Sequence, residues 1–257
     1  MTRDDRNKEH RADTHAAHEP DSRASAHPHG AAHAQGHDGH AHGHDGHAHG
    51  HAQDHHHDHQ HDRKFSVAKA ARLDDPARKK LLPLKTIIRL VSPFEGMSFA
   101  DIGAGTGYCL FPIVEAVEGR GRFYGLDCQD AMNDILRERS IHHRYGESII
   151  PVLTAETHID LGPETQDVLL CCAVYHELPA RDHHLSEMLR VLRPGGRVVV
   201  IDWPPLSDGQ TPDFGPPNHL RISLESACRE FLDAGFGHIK AHDEFEHYWC
   251  LTATKLH

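Results

Sequence analysis

Leu, Ile, Val, Phe, Tyr, Trp and Cys are absent from residues 1–62, then recur with two distinct periods to the end of the chain. Asp75-Pro76 reads as a helix N-cap followed by proline at the first helical position, where a missing N–H breaks no bond. ARKKLL completes that short helix, and Pro83 opens a second with Leu84, Ile87, Ile88 and Val91 at helical spacing. Beyond these, MSFADIG, RFYGLD, SIIPVLT, DVLLCCAV and RVVVIDW predict strands, several of the continuous apolar kind that parallel sheets bury on both faces. GYCLFPIVEAVEG, QDAMNDILRER and HHLSEMLRVL predict the helices between them, the last closed by Pro194-Gly195-Gly196. Ser223 caps a further helix through LESACREFLDA, stopped by Gly235, and GHIKAHDEF and HYWCLTATK finish the chain as two strands. The alternation argues an α/β fold built on a doubly wound sheet. Such sheets bind ligands at the carboxyl ends of their strands. Chemistry is therefore expected in the loops after Ile102, Leu126, Leu153, Ala173 and Ile201.

Composition divides the chain sharply. Of its 29 histidines, 18 fall in residues 1–62, where Gly-His-Asp-Gly-His-Ala-His is written twice from Gly36 and then begun again. That segment has too little apolar surface to offset the entropy of ordering it, so residues 1–62 are expected to be a disordered tail. Residues 63–257 are expected to form one globular domain. The opening residues hold no apolar core of a secretory signal. No run approaches the roughly 18 apolar residues of a membrane span. Six cysteines make no C-x-x-C pair, and Cys171-Cys172 sits in an apolar run, as reduced thiols of a cytoplasmic protein would. A net charge of −11 without a basic stripe argues against a nucleic-acid partner.

Asp101-Ile102-Gly103-Ala104-Gly105-Thr106-Gly107 follows the first predicted β-strand and opens a helix. Glycines there allow a tight turn and a close ligand approach. Asp127 ends the next strand, where a carboxylate can accept both hydroxyls of a ribose. The P-loop pattern G-x-x-x-x-G-K-[ST] is absent, and a dinucleotide fingerprint would need glycine where Tyr108 stands. The spacing suits a nucleoside ligand without pyrophosphate.

DIGAGTGY, GLDCQDAM, QDVLLCCAVYHEL and RVLRPGGRVVVIDW, in this order, resemble the class I S-adenosylmethionine-dependent methyltransferases, within them the ubiquinone/menaquinone-biosynthesis type. The likeness covers roughly residues 64–255. It implies a Rossmann-like, seven-stranded, mostly parallel sheet of order 3-2-1-4-5-7-6. It also implies that Asp101, Gly103 and Gly105, with Ala104 and Gly107 in the same loop, line the methionine half of the cofactor. Asp127 would take the ribose diol and Cys128 touch the adenine, while Ala155 and Glu156 bracket the adenine edge. Cys172 would lie near the sulfonium. Thr154 stands where the family commonly has an aspartate, which leaves Glu156 to meet the adenine amino group.

Methyl transfer needs a nucleophile held in line and, where that nucleophile carries a proton, a base. His176, in Tyr175-His176-Glu177 after the fourth strand, is the candidate base. Tyr108 and Trp203 are aromatic faces for a sulfonium or a substrate ring, or simple packing groups. Recognition of a small-molecule acceptor is expected to fall to the lead-in helices near residues 65–92 and to the loop 204–221. That loop is neither greasy enough for a lipid tail nor basic enough for phosphate, and its polar members Asp202, His219 and Arg221 are expected to be solvated or to fix the loop.

In the tail, imidazoles at every second or third position can wrap around Zn²⁺, Ni²⁺, Co²⁺ or Cu²⁺ in many registers. The candidate ligands are His37, His40, His42, His44, His47, His49, His51, His55, His56, His57, His59 and His61. Several weak, exchanging sites are expected rather than one finger-like site, since the tail has no cysteine. A metal-handling protein using the folded domain as scaffold is the competing reading. A third is methylation of a metalloid, disfavoured because arsenite methyltransferases gather cysteine thiolates that are scattered here.

Overall fold

The computed structural model describes residues 64–207, 209–212 and 214–257. The candidate metal ligands His37 to His61 and the expected tail lie outside the described residues. Seven strands form one sheet: β1 (Met97–Ile102), β2 (Gly121–Asp127), β3 (Ile149–Leu153), β4 (Gln166–Cys172), β5 (Leu192–Asp202), β6 (Gly237–His242) and β7 (Trp249–Thr254). Their order is β3-β2-β1-β4-β5-β7-β6, as the resemblance implies. All neighbours pair in parallel except β7, which runs antiparallel to both β5 and β6.

The continuous apolar strands split their side chains between two cores by the two-residue period of a β-strand. Val168, Leu170 and Cys172 of β4 face one core with Phe99, Val199 and Ile201; Leu169 and Cys171 face the other with Ala100, Val198 and Val200. Adjacent Cys171 and Cys172 therefore point to opposite sides of the sheet, and all six thiols are free. Helices α2 (Leu84–Val91), α3 (Leu110–Ala116) and α4 (Asp130–His142) cover the first core, and α5 (Arg181–Val191) and α6 (Leu224–Asp233) the second. A short helix, α1 (Pro76–Leu81), precedes α2, with Asp75 Oδ1 accepting from the Ala77 N–H as the predicted cap. Ser223 caps α6 in the same way, accepting from the Ser226 N–H.

One predicted boundary differs. Pro194-Gly195-Gly196 does not close a helix but lies inside β5, which starts directly after α5. Pairing with β4 slips between Gln166 and Val168, so the turn residues are absorbed as a bulge. Among the described residues no helix is long and apolar enough to cross a membrane.

The winding reverses around β1. The chain steps from β1 outward to β2 and β3, then returns to lay β4 on the opposite side of β1. Loops leaving β1 and β4 part at that point and open a crevice at their carboxyl ends.

Candidate active site

Gly103, Gly105 and Gly107 adopt φ of +69°, +53° and +84°, the left-handed region that side chains resist. A Cβ at Gly103 would sit 2.4 Å from a Val174 methyl, and one at Gly107 would sit 2.4 Å from the Phe111 ring. Their bareness thus serves the turn and the close approach of neighbours, and the Gly107 N–H closes the turn on Ala104 O at 2.9 Å. The Ala104 N–H donates to Leu126 O at 2.9 Å, tying the loop to the end of β2. There Asp127 Oδ2 accepts the Gly105 N–H and Oδ1 accepts the Gln129 N–H, both at 3.0 Å.

Three carboxyl groups stand around this crevice, Asp101 and Asp127 buried and Glu177 half-buried. Asp101, at 3% exposure, is pushed up to about 8, first by burial and then by the nearby Asp127, against the pull of Arg78. Asp127 is raised by burial despite the N–H groups it accepts. Glu177 is raised to about 7, again chiefly by burial, with His176 and the Phe65 N–H drawing it back and the charges of Asp202 and Asp127 adding. The three come from the ends of β1 and β2 and from the 3-10 turn Tyr175–Glu177 after β4. Acids driven above their ordinary range in one cleft mark a place where positive charge would be welcome.

His176 is buried beside Asp202, which is 1% exposed. Of the two expectations for Asp202, burial removes the solvated one: it ends a fully buried stretch of β5 and finds donors inside, fixing the start of the loop through the Trp203 N–H and the turn before α5 through the His176 N–H. Nδ1 of His176 lies 2.8 Å from Asp202 Oδ1, and Asp202 Oδ2 accepts the His176 backbone N–H. Burial alone would lower the imidazole's pKa, but Asp202 and then Glu177 more than offset that and leave it raised. Nε2 is 3.7 Å from Glu177 Oε1.

Residues 100–198 match the family described as "Methyltransferase domain". Residues 100–198 are thus similar to a methyltransferase domain. A solved S-adenosylmethionine-dependent methyltransferase from Aquifex aeolicus is similar over 75% of this chain and 100% of that one, with 25% identity and a TM-score of 0.68. The ubiquinone/menaquinone biosynthesis C-methyltransferase UbiE of Hahella chejuensis is 29% identical over 108 residues, 42% of this chain and 43% of that protein. An arsenite methyltransferase of Halobacterium salinarum is 28% identical over 107 residues, 42% of this chain and 27% of that one. The chain thus spans less than half the length of these two curated relatives.

Among the described residues, the remaining candidates are unequally gathered. Cys128 follows Asp127 at the rim, half-buried, its thiol raised by burial and by the Asp127 charge. Ala155 and Glu156 lie in the loop after β3, and Glu156 pairs with Lys64. Cys172 is buried at the end of β4, followed by Ala173 at φ +57°, a strained position for a side chain. Tyr108 turns away from the crevice: its hydroxyl donates to Leu82 O at 3.0 Å and its ring stacks under Arg78. Trp203 packs against Tyr248, ring centroids 4.1 Å apart, and the Arg221 guanidinium lies over the Trp203 ring, 5.2 Å from its centroid. Arg221 does fix the loop, donating to the carbonyls of Pro204, Phe214 and Pro216. Among the described residues no three His, Cys, Asp or Glu side chains are grouped to hold a metal ion.

The lead-in, expected to help recognise the acceptor, makes contacts that its sequence does not announce. Residues 64–74 run past the glycine loop and Glu177, held at both ends. Lys64 pairs with Glu156, the Phe65 N–H donates to Glu177 Oε2, and Phe65 O accepts from Gln129 Nε2. At the other end Asp74 receives Arg139 and the Thr106 hydroxyl, and Leu73 lies over Gly105. Its basic, weakly amphipathic sequence gave no sign of these partners, all of which are more than 30 residues away.

Proposed function

We propose that the chain transfers a methyl group from S-adenosylmethionine to a small-molecule acceptor. The observation that carries this reading is the convergence of three pKa-raised carboxyls, buried Asp101 and Asp127 and half-buried Glu177, on the crevice beside the glycine loop. They suit a ligand bearing both an ammonium and a sulfonium. When bound, that cofactor supplies an already activated methyl group. The carboxylate of Asp127 keeps lone pairs free for a ribose diol beside the N–H groups it already accepts. The loop Gly103-Ala104-Gly105 with Gly107 and Asp101 would hold the methionine half, Cys128, Ala155 and Glu156 the adenine, and Cys172 would border the methyl. The lead-in, closing over that rim, excludes water.

His176 is assigned the proton of the acceptor. Its Nδ1 is committed to Asp202, so Nε2 is the nitrogen that takes or returns a proton. An organic acceptor is favoured over a metalloid, because the described thiols offer one pair, Cys109 and Cys172, and no third thiol or acid grouped with it for a metal-like ion. The relatives named for ubiquinone and menaquinone biosynthesis support the same preference. Residues 1–62 are proposed to collect divalent ions such as Zn²⁺, Ni²⁺, Co²⁺ or Cu²⁺, with residues 63–257 as the catalytic domain and the cytoplasm as its setting.

Calorimetric titration with S-adenosylmethionine tests the enzyme reading, using the full chain and a chain starting at Arg63. Both should bind, and Asp127→Ala should weaken binding by about 1–3 kcal/mol, the scale of hydrogen bonds involving a charged group. Absence of binding by both chains overturns the reading. Equilibrium dialysis with Zn²⁺ or Ni²⁺ should give more than one ion per full chain and far fewer without residues 1–62; equal stoichiometry overturns the tail's role.

A further inference from the structure

On the far side of the His176 turn lies a cavity of about 600 Å³, bounded by the loop after β5, the start of α5 and the start of α6. His176 forms one wall, and Arg181, His219, Arg221, Ser223 and Ser226 supply most of the polar lining. The next residue, Glu177, keeps Oε1 3.7 Å from His176 Nε2 while its Oε2 accepts the Phe65 N–H of the lead-in, and Asp127 acts on it from the crevice side. The turn Tyr175–Glu177 is therefore a partition shared by the cofactor crevice and this cavity.

The lining is rich in donors. Arg181 uses Nε and Nη2 on Glu230, at 2.9 and 2.8 Å, which leaves Nη1 without a bond among the described residues. Arg221 donates to neutral carbonyls, and no carboxylate of the described residues lies at ion-pair distance from it; burial holds its pKa below the ordinary value, with the Asp202 charge drawing it back. The ten-residue α6 adds the hydroxyls of Ser223 and Ser226 at the positive end of its dipole, the Ser226 N–H being held by the Ser223 cap. Among the described lining residues the one acid, Glu230, is already occupied by Arg181 and the Tyr175 hydroxyl. An under-neutralised guanidinium, a second with spare donors and a helix N-terminus thus converge on one open volume.

We propose that this cavity binds an oxyanion group, carboxylate or phosphate, carried by the methyl acceptor, and so presents the acceptor to His176. The proposal rests on the methyltransferase reading and names the class of its substrate: a small molecule with an anionic substituent. It also revises the expectation that the loop 204–221 is too weakly basic for phosphate. That loop is, but Arg181 and α6 bring what it lacks.

Two anions serve as probes, inorganic phosphate and acetate, titrated into the full chain and followed by amide chemical shifts and thermal stability. One or both should bind saturably, with shifts at Ser223, Ser226 and Arg221, and whichever binds more tightly identifies the substituent. Arg221→Gln should weaken binding but also loosens the loop. Ser226→Asp is the cleaner variant, because an acid in the first turn of α6 favours the helix while placing negative charge at the cavity mouth. It should weaken the bound anion by about tenfold or more, near 1.4 kcal/mol, and leave S-adenosylmethionine affinity within twofold. Failure of both anions to bind, or binding indifferent to Ser226→Asp, overturns the subsite. If S-adenosylmethionine itself fails to bind the same sample, it is the methyltransferase reading that falls.

Discussion

Asp202 grips His176 at two points, its Oδ2 accepting the backbone N–H at 2.9 Å and its Oδ1 lying 2.8 Å from Nδ1. Ring and main chain are thus fixed together, and the tautomer is set by a carboxylate that is itself buried. The raised pKa has a sign consequence. The pair's contribution to folding is fully present below about pH 6.5, the unfolded value, and is lost as pH rises through the higher folded value.

A base must be neutral to accept a proton, so turnover should climb with pH through a midpoint above about 6.5. Asp202→Asn removes the charge that raises His176, and should move that limb toward acid while lowering kcat by about 10²–10⁴-fold. A pH–rate profile for the two proteins checks this. An unchanged midpoint would mean that His176 does not carry the proton.

Cofactor binding should release protons. Asp101 at about 8 and Glu177 at about 7 are partly protonated at neutrality, and a cationic ligand prefers them ionised. Affinity for S-adenosylmethionine should therefore rise severalfold from pH 6.5 to 8.5. Calorimetry in buffers of different ionisation enthalpy should report net proton loss; a flat profile with no release would contradict the acidic crevice.

Asp101 opposes folding over the same range. Its carboxyl titrates near 3.8 when unfolded and about 8 when folded, so the penalty is absent at low pH and grows as pH rises between those values. Asp101→Asn should stabilise the protein by roughly 1–3 kcal/mol at pH 8, and by much less at pH 5. Cofactor affinity should fall in the same variant. Melting curves at the two pH values decide it: equal shifts at both would deny the burial penalty.

The lead-in offers a kinetic test. Asp74→Ala frees one end of the segment by deleting its contacts with Arg139 and Thr106. The pair is well exposed, so global stability should change by no more than about 1 kcal/mol. S-adenosylmethionine should nonetheless dissociate a few times faster in stopped-flow measurements. An identical off-rate would show that the segment does not cover the bound cofactor.

The strands were legible because their residues are selected by burial on both faces, as in Val168 to Cys172, where every position is buried. The left-handed glycines were legible because few other residues can stand there. For Asp202 the strand RVVVIDW was legible but the burial of its last acid was not: an acid beside Trp-Pro-Pro looks solvated, and β7 pairs with β5 up to that residue. Glu177 enters the sequence reading only as the neighbour of His176; its raised pKa comes chiefly from burial, with the charges of Asp202 and Asp127 adding from other strands. The cavity is the extreme case, since Arg181, Arg221 and Ser226 lie on three separate elements.

The hydroxyl of Tyr175 donates to Glu230 of α6, and Arg181 braces the same carboxylate. The hinge-side neighbour of His176 is thereby hung from a helix made by the chain's last quarter. Exchanging α6 or the excursion before it, the natural way to change what this protein accepts, would also tilt the imidazole and its acid. Acceptor choice and proton handling are geared together, and variants bred for a new substrate should arrive with altered pH optima.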